Sequence, residues 1–367
     1  VDATAITLPN LPQSRHQALR LNTTRATKHR VNLFVANAAE TPNILSRFPP
    51  KQWSMYYNIG YWIWELENIP AAWIDQLRAF NEVWTPSDFA TRSITSSPLY
   101  QKGATKILTM NLGSQATPES ESYLASRPRF NFPSGTLVFL VMLNAPSFFQ
   151  RENPFAAVEA FERAFGRHSP NVLLVIKCNS FGREFEELRA AVNGSSSMRL
   201  MTDVLNTQEL RSLLGSVDVL VSLHRSESYG LALLESLMLG KPVIATAYGG
   251  NMDFMSRLPT DFHFLLIPHG YVPFNLTGAL QDVTSDQRWA EPDVVQAARA
   301  MSKLAADQGL LEKCRQVVGP LFREQFGFQA VGDRIKARLE AIAAITQAQR
   351  VTRKKTKEQD RFNRSKS

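Results

Sequence analysis

The sequence predicts an α/β protein made of two doubly wound parallel-sheet domains that face one cleft. Short apolar, β-prone runs alternate with helical segments in both halves of the chain, and this alternation is typical of parallel sheets covered by helices. A polar stretch rich in Ser, Pro and Gly, residues 111–135, separates the halves and is interpreted as a linker. The 367 residues suit two domains of about 100–200 residues each.

Strands and helices of the first half are short. Residues 31–36 (VNLFVA) are apolar and β-prone, which predicts a strand. Residues 71–80 predict a helix, because Pro70 precedes them and proline is favoured at helix starts. Further strands are predicted at residues 82–84 and 106–110.

The second half repeats the strand–helix pattern more clearly. Strands are predicted at residues 137–143, 172–177, 217–223 and 242–246. Helices are predicted at residues 154–165, 183–192, 207–214 and 229–239, and three more at 294–307, 310–318 and 329–349 close the chain. The predicted domains are residues 1–125 and 126–327, followed by a C-terminal helix over 328–350 and a basic tail over 351–367.

The composition indicates a globular protein of a reducing compartment. Hydrophobic residues make up 44% and charged residues 20%, and no apolar run approaches the ~18–20 residues of a membrane span. No signal peptide is visible, and two lone cysteines, Cys178 and Cys314, do not make a disulfide framework. We therefore expect a cytoplasmic location.

Most of the positive charge lies in the tail. Residues 351–367 hold seven basic and two acidic residues, which gives +5 of the net charge of +8. Such a tail is interpreted as a solvated, disordered end, and the alternative is attraction to anionic lipid at the inner membrane face. No nucleic-acid-binding module accompanies the charge, so nucleic acid is not an expected partner.

The segment 226–235 (SESYGLALLE) contains the residues that predict a ligand-binding site. Ligands of open parallel sheets bind beyond the carboxyl ends of the strands, and Glu227 follows a predicted strand there. Amides of Tyr229, Gly230 and Leu231 at the helix start suit a diphosphate. Glu235, roughly 9 Å along the helix, would reach the ribose while Glu227 lies near the sugar. The structural alternatives are a capping Glu227 and a solvent-facing Glu235.

Four stretches carry a family resemblance. They are residues 224–246 (HRSESYGLALLESLMLGKPVIAT), 153–161 (NPFAAVEAF), 58–66 (NIGYWIWEL) and 83–87 (VWTPS). Together they resemble the retaining glycosyltransferases of family 4, which have the GT-B fold, in a bacterial branch that builds surface polysaccharides. The resemblance runs from about residue 31 to residue 327.

The resemblance implies a retaining hexosyltransferase of polysaccharide synthesis. The donor would be a nucleotide sugar bound by residues 126–327, and the acceptor a glycan or lipid-linked glycan on residues 1–125. Peripheral membrane contact is the alternative that the basic tail raises. No cofactor or metal is expected. No glycine-rich loop precedes Val31, so the first strand–loop–helix unit of the family is absent or diverged. A non-catalytic nucleotide-sugar-binding module is therefore the alternative.

Two basic residues match the places where the family binds diphosphate. Arg151 precedes the Asn-Pro helix, and Lys177 ends the next strand. Glu152 stands where relatives often carry a second basic residue. The structural alternatives are a surface arginine and a lysine that snorkels from a strand end.

Further candidates flank the cleft. Gly250 and Asn251 belong to a turn that resembles the donor-sugar turn of the family, although Asn251 could instead cap a helix. Trp64 and Glu65 are acceptor-side candidates, because aromatic faces suit sugar rings and carboxylates accept from hydroxyls. His224 is interpreted either as a sugar contact or as a structural histidine.

Overall fold

The structure is a computed structural model that describes residues 30–103, 105–116, 127–143, 149–179, 181–274 and 287–364, with side chains to residue 348. The strands are β1 (Val31–Val35), β2 (Tyr57–Tyr61), β3 (Glu82–Thr85), β4 (Lys106–Thr109), β5 (Leu137–Met142), β6 (Val172–Lys177), β7 (Met198–Met201), β8 (Val219–Ser222), β9 (Val243–Thr246), β10 (Leu266–Ile267), β11 (His269–Pro273) and β12 (Arg288–Pro292).

The helices lie between and after these strands. They are α1 (Thr41–Leu45), α2 (Pro50–Trp53), α3 (Ala71–Gln76), α4 (Asp88–Thr95), α5 (Phe149–Glu152), α6 (Pro154–Phe165), α7 (Arg183–Val192), α8 (Thr207–Ser216), α9 (Leu231–Met238), α10 (Met252–Met255), α11 (Val294–Ala306), α12 (Gly309–Lys313), α13 (Gly319–Phe326) and α14 (Phe328–Arg364). None of the helices in the described part of the chain is both long and apolar enough to span a membrane.

The first sheet has the strand order β1-β2-β3-β4, and its pairs are parallel. One hydrophobic cluster of this half gathers aromatic side chains that include Trp62, Trp64 and Phe80. A second cluster joins the sheet to the last helix, because Ile342 of α14 packs with Ile59 and its apolar neighbours. Helix α14 therefore covers apolar residues of the first sheet.

The second sheet has the order β10-β9-β8-β5-β6-β7, and its pairs are also parallel. The chain builds β5, β6 and β7 in one direction and then returns to place β8, β9 and β10 on the other side of β5. The order of the strands thus reverses between β5 and β8. Ligands of open parallel sheets bind at such a reversal, beyond the carboxyl ends of the strands. The predicted pair of parallel-sheet units is confirmed.

Several elements differ from the sequence prediction. The prediction misses β2, β7 and α4, and also the antiparallel pair β11–β12. β2 contains Asn58 and Gly60, which are depleted in strands, and β7 is only four residues long. α4 is short and holds β-branched residues, so its own helix propensity is low and its capping by Ser87 supplies the start.

The last helix is longer than the sequence predicts. α14 runs from Phe328 to Arg364, through most of the tail for which disorder is predicted. No proline or glycine interrupts the sequence between Gly332 and the end of α14, and Ala, Gln, Lys, Arg and Glu, which are good helix formers, are frequent there. Helix propensity therefore extends the element past the predicted end at residue 350.

The β11–β12 ribbon ties the two halves together. Trp289 and Phe274 lie in the aromatic cluster of the first half, although both belong to the second half of the sequence. The side chain of Gln287 donates to the carbonyl of Asn68 at 2.6 Å and accepts from the Asn68 amide at 3.3 Å. The ribbon and the residues that flank it, Phe274 and Gln287, thus make apolar and polar contacts between the halves.

Some predictions fall outside the described residues. The predicted linker overlaps residues 117–126, and the predicted boundary between residues 125 and 126 lies within that segment. The expectation of an absent or diverged first unit concerns residues 1–29. These predictions stay predictions.

Candidate functional site

The loop after β8 leads directly into α9. Gly230 has a φ of +84° and α9 begins at Leu231, two residues later than the sequence predicts. The left-handed backbone at Gly230 breaks helical geometry there, and glycine adopts it with little strain. The amides of Gly230 and Leu231 therefore lie at the turn into the helix, where the first N–H groups have no partner within a helix. The Tyr229 amide donates to Glu227 Oε1 at 3.4 Å, as the capping alternative for Glu227 predicts.

Two glycines, Gly249 and Gly250, pack closely against the backbone of this loop. The amide of Gly250 donates to the carbonyl of Glu227 at 2.7 Å. A Cβ atom on Gly250 would stand 1.7 Å from the carbonyl oxygen of Ser228, and one on Gly249 would stand 2.6 Å from that of Glu227. Only glycine allows this approach. The pair thus fixes the backbone that carries Glu227, and the Gly250 amide is already used.

Arg151 lies at the centre of an acidic cluster. It is buried in α5, after β5, and its Nη1 donates to the carbonyl of Ser226 at 2.7 Å. Its guanidinium lies 3.1 Å from Glu65, 2.6 Å from Glu152 and 3.9 Å from Glu227, measured between nitrogen and carboxylate oxygen. Burial alone would lower the pKa of Arg151, but the three carboxylates raise it. Arg151 therefore stays charged.

Lys177 lies at the same edge of the sheet, at the end of β6. Its ammonium donates to the side-chain oxygen of Asn179. Burial lowers the pKa of Lys177, and the nearby Asp203 opposes this shift. Glu227, Arg151 and Lys177 thus follow or end three neighbouring strands, β8, β5 and β6.

The two acceptor-side candidates have different environments. Glu65 faces Arg151, and its carbonyl accepts from the hydroxyl of Ser226. Trp64 is 7% exposed, its indole N–H donates to the carbonyl of Asn68 at 3.0 Å, and its ring centroid lies 4.8 Å from that of Trp73. Trp64 is a core residue here, contrary to the prediction, because its side chain is buried in the aromatic cluster of the first half and leaves little surface for a sugar ring.

Glu235 bridges the two halves. Its carboxylate accepts from the hydroxyl of Ser114 at 2.7 Å, and Ser114 follows the last strand of the first sheet. The solvent-facing alternative is therefore wrong for this carboxylate. One of its oxygens has a partner already.

His224 and Asn251 are held by the backbone around them. His224 is fully buried, with Nε2 2.9 Å from the carbonyl of Tyr248 and Nδ1 3.0 Å from the hydroxyl of Ser222. This favours the structural interpretation of His224. Asn251 occupies the N-cap position of α10, as the capping alternative predicts, but its side-chain amide donates to the carbonyl of Thr246 at 3.0 Å and makes no cap hydrogen bond.

Two polar atoms beside the loop lack a partner. They are Ser228 Oγ and Asn251 Oδ1, both buried and without a hydrogen bond to any described residue. Buried polar groups almost always have a partner, so such atoms call for a ligand or water. Both are therefore candidate contacts of a polar ligand.

The sequence prediction misses Asp253 and its partners at this junction. The carboxylate of Asp253 accepts from the backbone amide of Asp88 at 2.9 Å and from the side-chain amide of Asn111 at 3.0 Å. Burial raises the pKa of Asp253, and the Asp88 amide lowers it. Asp253 follows the glycine turn closely, but its partners are far away in sequence, and no local pattern marks them.

Among the described residues, no three His, Cys, Asp or Glu side chains lie close enough together to hold a metal ion. Arg151 and Lys177 are cations that an anionic ligand could meet at this edge of the sheet. The amides at the start of α9 add dipoles of the same sign. The site thus combines two cations and helix-start amides with the carboxylates of Glu65, Glu152 and Glu227.

Comparisons of the sequence with known proteins find similar glycosyltransferases. Residues 131–264 match the family described as "Glycosyl transferases group 1". A segment of 98 residues is 37% identical to D-inositol 3-phosphate glycosyltransferase of Paenarthrobacter aurescens. That match spans 27% of this chain and only 21% of the relative.

Solved structures share the fold at low sequence identity. Sucrose-phosphate synthase from Thermosynechococcus elongatus has a TM-score of 0.61 at 14% identity, over 86% of this chain and 73% of that one. A glycosyltransferase from Rickettsia africae has a TM-score of 0.60 at 15% identity, over 86% and 76%. Anabaena HepE, solved with UDP and glucose, has a TM-score of 0.55 at 11% identity, over 83% and 81%. The fold of this chain is GT-B.

Proposed function

We propose that this GT-B chain is a retaining glycosyltransferase that uses a nucleoside diphosphate sugar. The observation that carries the proposal is the meeting of Glu227, Arg151 and the start of α9 where the strand order of the second sheet reverses. That point is the expected ligand crevice of such a sheet. The match of residues 131–264 to group 1 glycosyl transferases supports the same function.

The cations and backbone amides would stabilise the diphosphate as it leaves. Negative charge grows on the diphosphate as the bond to the sugar breaks, and fixed positive groups stabilise that charge. Arg151 and Lys177, with the amides of Tyr229, Gly230 and Leu231, would supply them. In this proposal, the reaction needs no metal ion.

The carboxylates and the glycine turn would hold the rest of the donor. Glu227 would accept from sugar hydroxyls near the reacting carbon, with the Gly250–Asn251 turn beside it. Glu235 would bind ribose hydroxyls through the oxygen that Ser114 does not use. Retention would follow from attack on the face that the diphosphate leaves.

The substrate classes follow from the resemblance and the relatives. Because HepE was solved with UDP and glucose, UDP-hexoses are the first donors to test. The acceptor would be a glycan or a lipid-linked glycan of bacterial surface-polysaccharide synthesis. Its reaction would take place in the cytoplasm, at the inner face of the membrane.

The test replaces Glu227 by Gln and measures release of nucleoside diphosphate from a panel of nucleotide sugars with glycan acceptors. We expect at least about a hundredfold loss of transfer, because glutamine has no negative charge with which to accept hydrogen bonds from the sugar hydroxyls. An unchanged rate with Glu227→Gln would refute the assignment. A chelator such as EDTA should leave the wild-type rate unchanged.

The matched control is Glu187→Gln, since Glu187 lies on the exposed surface of α7 and pairs only with the exposed Arg183 among the described partners. Its rate should equal that of the wild type. Thermal unfolding of both variants should match the wild type, which separates loss of chemistry from loss of fold.

A binding module without catalysis is the second candidate. The described first sheet keeps one strand order without a reversal, so it offers no crevice of the kind found in the second sheet. Nucleotide-sugar binding without transfer or hydrolysis, across all acceptors tested, would favour the binding module over the enzyme.

A further inference from the structure

Glu65 and Arg151 join the two sheets at the candidate site. Glu65 follows β2, at the carboxyl end of the first sheet, and Arg151 follows β5 of the second. Glu65 Oε2 lies 3.1 Å from Arg151 Nε, and the Glu65 carbonyl accepts from the Ser226 hydroxyl. The Glu65 side chain keeps 37% of its surface exposed. Burial raises the pKa of the Glu65 carboxyl, and the charge of Arg151 opposes this shift and favours the carboxylate.

Each of the three side-chain nitrogens of Arg151 already faces an acceptor. Nε faces Glu65, Nη1 donates to the carbonyl of Ser226, and Nη2 faces Glu152. A guanidinium presents five N–H donors in a fixed plane, and a phosphate usually binds two of them side by side. An incoming diphosphate would therefore compete with a carboxylate for the donors of Arg151.

The charge count at this position opposes an anion. One guanidinium stands against the carboxylates of Glu65, Glu152 and Glu227. Glu152 is the neighbour of Arg151 in sequence, and Glu227 lies on the adjacent loop of the same half. Glu65 is the member of the three that the other half contributes.

We propose that Glu65 acts as an internal competitor of the nucleoside diphosphate at Arg151 and is displaced when the donor binds. The inference rests on the proposed function, because it takes Arg151 as a diphosphate-binding residue. The Glu65 carboxylate occupies the place of a phosphate oxygen. Donor binding is then coupled to the contact between the two halves, because it transfers this carboxylate from Arg151 to solvent.

A different role for Glu65 has the opposite consequence. If Glu65 instead orients the guanidinium for the ligand, its removal would weaken nucleotide binding. If Glu65 competes with the ligand, its removal should tighten nucleotide binding, because one negative charge near the diphosphate is lost. The sign of the change in affinity therefore distinguishes the two roles.

The experiment titrates UDP, and GDP in parallel, into the wild-type chain and the Glu65→Gln variant by isothermal calorimetry. We expect about tenfold tighter binding of the diphosphate to the variant at low salt, since juxtaposed like charges oppose binding. The gain should shrink as the salt concentration rises, because screening weakens the repulsion. Unchanged or weaker binding would overturn the inference.

Two further variants complete the design. Glu67→Gln is the matched control, because Glu67 lies on the same segment but pairs with Arg288 at 3.5 Å, and its affinity should equal that of the wild type. In an Arg151→Gln background, Glu65→Gln should increase the affinity for UDP only slightly. The Glu65 carboxylate and the diphosphate then no longer compete for the Arg151 guanidinium. An equal gain in both backgrounds would overturn the competition at Arg151.

The inference and the proposed function can fail separately. If neither the wild type nor any variant binds a nucleoside diphosphate, the proposed function fails as well. Binding by the wild type with no gain in Glu65→Gln refutes the competition alone.

Discussion

Gly250 fixes the backbone of the loop after β8, because glycine has no Cβ atom that would collide with that loop. Its amide donates to the carbonyl of Glu227, and its α-carbon packs against the carbonyl of Ser228. Any larger residue must push this backbone away. The position of the Glu227 carboxylate thus depends on a residue in a different loop.

We expect Gly250→Ala to lower both nucleotide binding and stability. The new Cβ would lie 1.7 Å from the Ser228 carbonyl oxygen, and overpacking of this kind costs about 1–3 kcal/mol or more. Thermal unfolding and calorimetric titration with UDP would measure the two effects. Wild-type values for both quantities would contradict the support assigned to the glycine pair.

Gly332→Ala provides the control for this substitution. A Cβ on Gly332 meets no atom within 4 Å, and the residue lies inside α14. Alanine is favoured over glycine in a helix, so this variant should gain up to about 1 kcal/mol of stability. Its affinity for UDP should stay unchanged.

The sequence predicts which residues lie at the strand ends, but it does not predict the side chains that they contact. The placement of Glu227, Arg151 and Lys177 follows from the strand–helix alternation and the resemblance. The contacts of Arg151 with Glu65, and of Glu235 with Ser114, join segments that no local pattern relates. The burial of Trp64 escapes prediction for the same reason, because the ring that covers it belongs to a later helix.

At the scale of elements, a buried ion pair fixes α14 to the first sheet. Glu82 of β3 is fully buried and accepts from the guanidinium of Arg338. Its carboxylate also accepts from the Tyr57 hydroxyl at 2.8 Å and from the Trp84 indole N–H at 3.0 Å. The charge of this carboxylate is thus balanced by one cation and two neutral donors.

We expect Arg338→Ala to destabilise the chain by about 3–5 kcal/mol, because a buried carboxylate loses its cation. The double variant Glu82→Gln, Arg338→Ala should regain part of this loss, since the uncompensated charge is removed. Chemical denaturation followed by tryptophan fluorescence would measure both.

Arg334→Ala is the matched control on the same helix. Arg334 makes an exposed contact of 3.3 Å to the carbonyl of Gln325, and its loss should change stability by less than about 0.5 kcal/mol. Equal effects of Arg338→Ala and Arg334→Ala would show that the buried pair does not hold the helix.

Element prediction succeeds where local signals are strong. Strands β5, β6, β8 and β9 are runs of buried apolar residues, and α6 and α7 have clear amphipathic patterns, so their positions are confirmed. β2 and the β11–β12 ribbon contain glycine and polar residues, and their strand pairing depends on neighbours supplied by the tertiary fold. α4 depends on its cap more than on its propensity.

At the scale of the whole molecule, the two halves share their cores. Phe274 and Trp289 of the second half lie in the aromatic cluster of the first, and α14 covers the other cluster of the first sheet. The halves are therefore not independent folding units.

We expect a chain that ends at Gly327 to lose the protection of its first sheet. Ile335, Leu339 and Ile342, which pack on that sheet, would be absent. Limited proteolysis with mass spectrometry should find cleavage within residues 30–116, while residues 127–327 persist longer. Full protection of both segments would contradict the role of α14.

A chain that ends at Arg350 is the control, because it keeps all three of these apolar residues. It should resist protease like the full chain and bind UDP with the same affinity. Any loss of binding in this shorter chain would assign a role to the basic end of α14.

The place of α14 also has a consequence for synthesis on the ribosome. The strands of the first sheet end at Thr109, but the residues of α14 that cover them begin near Ile335. At about 5–20 residues per second, the nascent sheet waits roughly 10–45 s for its last layer. During that time its apolar face is open to other nascent chains and to chaperones, so the yield of folded protein should depend on translation speed and chaperone supply.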